Sequence, residues 1–172
     1  MRKVIISAVF VVACFLLQST VFRALSFGGI IPNLMLIVTA SYGLIRGKKS
    51  GLLVGFFSGL LIDIFFGSLL GFYALLYMYI GYANGVFRKI FYPEDIKLPI
   101  IFILTSDLAY GLICYILLFL LNGRFNFLYY FLNIILPEMV YTIVITCGLY
   151  PLLLFTERRL ERLEREGVTK IV

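Results

Sequence analysis

Residues 51–67 read GLLVGFFSGLLIDIFFG. Glycine recurs every four positions at Gly51, Gly55 and Gly59, and one acid, Asp63, stands near the end. The stretch is apolar enough for a membrane segment, yet lipid solvates a carboxylate badly. An acid at the bilayer centre costs roughly 2.5–3.5 kcal/mol on insertion scales. Asp63 is therefore expected to face protein or water. On a helix the three glycines form one smooth stripe, which lets a second helix approach closely and replaces the hydrophobic drive that lipid cannot supply. Gly67/Gly71 and Gly81/Gly85 repeat the spacing. Such stripes serve either packing inside one bundle or an interface with a partner, and packing is the simpler expectation.

The rest of the chain has the same character. Of 172 residues, 62% are hydrophobic and only 14% charged, against about 25% charged in soluble domains. Mean hydropathy is +1.05. Too little polar surface remains to coat a water-soluble core, so an all-α integral membrane protein is expected, as a single domain over 1–172. Crossing the hydrocarbon takes about 20 apolar residues, fewer where the bilayer thins. Six spans are read, at about 4–22, 31–45, 50–66, 69–87, 98–121 and 128–156, followed by a tail over 157–172. Pro32 opens the second span. Pro137 lies inside the sixth and should kink it or break its hydrogen-bond ladder. The segment FFGSLLG (65–71) suits a tight turn or a re-entrant pair. MRKVIISAVFVVAC (1–14) has the outline of a lipoprotein leader, but the apolar run continues through FLLQSTVF, so it is read as the first span.

Basic residues set the orientation. With six spans, thirteen of the fifteen Lys and Arg fall on one side, and only Arg23 and Arg124 on the other. The positive-inside rule then puts both termini in the cytoplasm. The net charge of +6 resides in short blocks between apolar runs, which is the pattern of inside loops and argues against nucleic-acid binding. FNFLYYF (125–131) falls where an outer aromatic belt is expected. Glu94 and Asp95 read as a solvated turn. ERRLERLERE (157–166) reads as a cytoplasmic extension of the sixth helix, with Leu160 and Leu163 on one side and charges able to rest on anionic lipid.

Three acids fall within spans. Asp63 lies fourteen residues past Lys49, or roughly 21 Å along a helix, towards the outer face, where Arg23 or Arg124 is a candidate partner. Asp107 and Glu138 fall near the midplane, at a depth where no Lys or Arg is expected. They are open to several roles: a proton relay, a cation site, a tie between helices, or contact with a partner. Cys14, Cys114 and Cys147 lie in apolar runs without metal-type spacing and read as small buried residues. The chain has no histidine, and no phosphate loop or nucleophile elbow is present. No enzyme, metal or cofactor is expected.

The run PNLMLIVTASYGLIRGKKSGLLVGFFSGLLIDIFFGSLLGFYALLYMYIGYANG (32–85) resembles the MreD family of rod shape-determining proteins. The shared features are Pro32 leading the second span, the Arg46-Gly47 turn, the Gly51/Gly55/Gly59 stripe ending in Leu60 and Asp63, and Gly71 leading the fourth span. Asn33 stands where the family often has Asp, and Thr142 where it commonly has Asn. The resemblance implies a non-enzymatic membrane scaffold subunit of the bacterial elongation machinery that builds lateral peptidoglycan. It would act with MreC and, indirectly, with MreB, RodA and a class B penicillin-binding protein. It also implies a six-helix bundle similar to the substrate-binding subunits of energy-coupling-factor vitamin transporters, which supply the alternative reading, a solute-binding transporter subunit. Those subunits usually carry an Ala-x-x-x-Ala face on the first span; here Ala8 and Ala13 are five apart.

Overall fold

A computed structural model describes residues 2–26, 29–67, 69–90, 97–120 and 126–169, and these are all helix and short connections. The elements are α1 (Arg2–Ser19), α2 (Val21–Ala24), α3 (Leu34–Arg46), α4 (Lys48–Phe66), α5 (Phe72–Val86), a 3₁₀ turn (Phe87–Ile90), α6 (Lys97–Cys114) continued by a π-helical segment (Tyr115–Leu120), α7 (Phe127–Tyr130), a second π segment (Phe131–Ile135) and α8 (Leu136–Thr169). They occur where the six apolar segments were expected. By length and hydropathy, four stretches suffice to cross a membrane: Val4–Ala24, Lys48–Phe66, Lys97–Leu118 and Phe127–Arg162. The other two rods are shorter, α3 with 13 residues and α5 with 15.

α3 is the hub. Every residue from Leu34 to Leu44 is buried, as expected of a helix apolar on all faces and enclosed by protein. Around it pack Val11, Cys14 and Phe15 of α1, Ile62 of α4, Tyr77 and Ile80 of α5, Ile103 of α6, and Tyr150 and Leu153 of α8. The outer helices turn large apolar side chains outward, among them Val9, Leu53, Phe57, Ile101, Val144 and Phe155. In water such a surface is untenable; in a bilayer it faces a matching solvent.

The prolines and cysteines refine the expectations. Pro32 is buried just before α3, and its carbonyl accepts from the Leu34 N–H at 3.1 Å. Pro137 is the second residue of α8, directly after the π segment. Its missing donor therefore coincides with a change of helical register, and the proline inside α8 is Pro151 instead. Cys14 and Cys114 are buried, but Cys147 is exposed on α8, contrary to the expectation for all three. α4 ends at Phe66, and Gly71 caps α5 with φ +98°, a left-handed conformation that glycine alone adopts without strain. Glu94, Asp95 and Arg124 lie outside the described residues. α8 runs on through the expected tail.

Candidate functional site

Asp63 sits at the end of α4, 3% exposed, with α5 starting beside it. Its Oδ2 accepts from the N–H groups of Gly71 at 3.0 Å and Ala74 at 2.9 Å, and its Oδ1 accepts from the Tyr73 N–H at 3.0 Å. The first N–H groups of a helix have no partner within the helix. A carboxylate there satisfies them and complements the positive end of the helix dipole. Of the two arginines expected as partners, Arg23 holds its guanidinium over the Phe66 ring instead, 5.7 Å from the centroid, and Arg124 lies outside the described residues. Opposite charges are visible in a sequence, whereas a backbone N–H eight to eleven residues ahead is not.

The glycine stripe meets α5 of the same chain. A methyl group on Gly55 would overlap the Tyr77 carbonyl, one on Gly59 the Tyr73 carbonyl, and one on Gly51 the Gly81 carbonyl. Gly81 and Gly85 of α5 are equally tight against Gly51 and Lys48, and Gly43 of α3 faces the Gly81 carbonyl. Side-chain-free contact on both helices brings the two backbones together, and the Asp63 cap closes the pair at one end.

Asn33 organises the start of α3. Its Oδ1 accepts from the Leu36 N–H at 3.2 Å and from the Tyr77 hydroxyl at 2.6 Å. Its own N–H donates to the Thr142 hydroxyl at 3.2 Å. The two positions where the sequence departs from the MreD pattern are thus bonded to each other. At the other end of α3, Arg46 forms a bidentate pair with Glu157 of α8, with Nε to Oε2 at 2.6 Å and Nη2 to Oε1 at 2.7 Å. Its Nη1 donates to Ser7 of α1 at 2.6 Å, and its guanidinium lies over the Tyr42 ring at 5.0 Å. The Glu157 side chain is 3% exposed. Reading 157–166 as a cytoplasmic extension of the sixth helix missed this: one acid in a run of charges turns inward, and nothing in the local pattern distinguishes it. The only hint was that Glu157 is the first charge after the apolar run, as Arg46 is the last residue of its helix.

Asp107 is buried at 2% exposure, and neither of its carboxyl oxygens has a hydrogen-bond partner among the described residues. The Thr142 hydroxyl faces it, outside strict hydrogen-bond geometry. Glu138 lies within electrostatic reach of Asp107 and lines a half-open cavity of about 480 Å³ at the end of the bundle opposite Arg46. Arg23 lines the same cavity. Among the described residues no His, Cys, Asp or Glu cluster could hold a metal ion.

An apolar bundle of helices, with one carboxylate capping a helix and one buried ion pair holding three helices together, defines an all-α membrane protein. The family model for the rod shape-determining protein MreD matches residues 1–158, and the chain belongs to that family. It is a family of membrane proteins that determine rod shape without enzymatic activity. Neither the curated proteins nor the solved structures give a match.

Proposed function

We propose that the chain is a scaffold subunit of the wall-elongation machinery that works through contacts with MreC rather than through catalysis. Membership of the MreD family over residues 1–158 carries this reading. The site chemistry agrees with it: Asp63, Arg46 and Glu157 are committed to holding helices, not aimed at a substrate. MreB, RodA and a class B penicillin-binding protein would be reached through MreC. The chain sits in the cytoplasmic membrane, crosses it six times and keeps both termini inside, with the short α3 enclosed by the other helices.

Depletion in a rod-shaped host should round the cells, and affinity purification from native membranes should recover MreC. Recovery of no wall-synthesis protein would overturn the reading. The cavity favours a second reading, the solute-binding transporter subunit. That reading requires an ATPase partner and a vitamin-sized ligand that raises the melting temperature; a purified protein indifferent to a vitamin panel would count against it.

A further inference from the structure

The cavity beside α1 carries two opposite charges that do not meet. Arg23 and Glu138 both line it, and neither forms an ion pair with any described residue; Arg23 has only the Phe66 ring beneath it. Arg23 is exposed and Glu138 half-buried. The same cavity is lined by Tyr73, Tyr77 and Tyr110, with Tyr77 and Tyr110 centroids 5.5 Å apart and Tyr73 and Tyr110 centroids 6.4 Å apart. A carboxylate among aromatic faces is the environment that receives an ammonium group, through charge and cation–π attraction. In the same wall, Gln18 Oε1 accepts from the Met35 N–H and Asn33 Oδ1 accepts from the Tyr77 hydroxyl and the Leu36 N–H. Both oxygens are thus engaged, which leaves the amide NH2 groups as the donors these two side chains offer to the cavity. The volume, about 480 Å³, falls in the range of small-molecule sites.

The geometry points to a binding site for a zwitterion that carries a primary ammonium and a phosphate, the chemistry of phosphoethanolamine. The ammonium enters towards Glu138 and the tyrosines. The phosphate stays near the exposed Arg23, with the Gln18 amide donating to it. Such a group comes either as the headgroup of phosphatidylethanolamine, whose acyl chains would remain outside the cavity, or as the free phosphoester. The site would add a ligand to the bundle whether or not the scaffold reading holds.

The test uses the full chain in nanodiscs of equal phosphatidylethanolamine and phosphatidylglycerol, transferred to mild detergent and examined by native mass spectrometry. In parallel, thermal shift is measured with free phosphoethanolamine. Preferential retention of phosphatidylethanolamine supports the lipid source, and a thermal shift with the free compound supports the soluble one. Arg23→Gln and Glu138→Gln should each weaken binding by roughly tenfold or more, the loss of a charged hydrogen-bonding partner. Glu161→Gln, on an exposed position of α8, should leave it unchanged. Equal retention of both lipids with no response to the free compound overturns the proposal, as does binding unaffected by either cavity variant. Should those variants fail to fold, the wild-type choice between the two lipids and the response to phosphoethanolamine decide the matter. MreC co-purification, measured on the same wild-type preparation, shows separately whether the scaffold reading survives.

Discussion

Both carboxylate oxygens of Asp63 hold backbone N–H groups at the start of α5. Replacement by Ala leaves three donors without this acceptor, that of Ala74 buried and those of Gly71 and Tyr73 partly buried, at about 1–3 kcal/mol for a buried group left unsatisfied. Asp63→Ala should therefore lower the thermal stability of the detergent-solubilised protein markedly, while Glu161→Ala should not; equal melting temperatures would show that the cap contributes little. Arg46 and Glu157 supply a sharper test. Removing one partner of a buried pair costs about 3–5 kcal/mol, whereas replacing both by apolar residues of similar volume is often close to neutral. Arg46→Met should thus destabilise more than Arg46→Met combined with Glu157→Leu, and a double variant worse than the single one would contradict the account. At this scale the sequence revealed demand but not supply. That Asp63 must avoid lipid follows from its apolar surroundings. What meets it depends on how the start of α5 comes back onto the carboxylate. Glu157 was invisible for the converse reason, since its charged neighbours are solvated and it is not.

The close approach of α4 to α5 depends on glycine where the backbones touch. Gly55→Ala would drive a methyl group into the Tyr77 carbonyl, which is backbone and cannot swing away. Overpacking of this kind costs about 1–3 kcal/mol. Gly148→Ala on α8 meets no atom within 4 Å and should be neutral, or stabilising by the helix propensity of alanine, roughly 1 kcal/mol. Thermal unfolding of the two variants side by side gives the comparison, and similar values would mean that the helices separate freely. The stripe could be read from the spacing of Gly51, Gly55 and Gly59, and its complement from Gly81 and Gly85. The π segments at Tyr115–Leu120 and Phe131–Ile135 could not, because a single extra residue in a helical turn leaves the apolar pattern almost unchanged.

For the whole molecule, composition alone indicated a helical membrane protein, and the 32–85 motifs indicated its family. Neither revealed that the helix opened by Pro32 is the enclosed one, because a helix apolar on every face looks alike whether lipid or protein surrounds it. The proposed topology gives a direct measurement. A cysteine introduced at Lys49 should react with a membrane-impermeant maleimide only after the cytoplasmic side is opened, and one at Ser26 should react in intact cells; the reverse pattern would invert the orientation. The enclosure of α3 also bears on how the protein is made. Thirteen residues span about 20 Å, against a hydrocarbon core of about 30 Å. As it leaves the ribosome, this piece is too short to settle across the bilayer unaided. Its place is completed only when α4, α5, α6 and α8 arrive and close around it, so biogenesis of the central helix is a collective, late event, and a nascent chain halted at Gly47 should be handed to quality control rather than anchored.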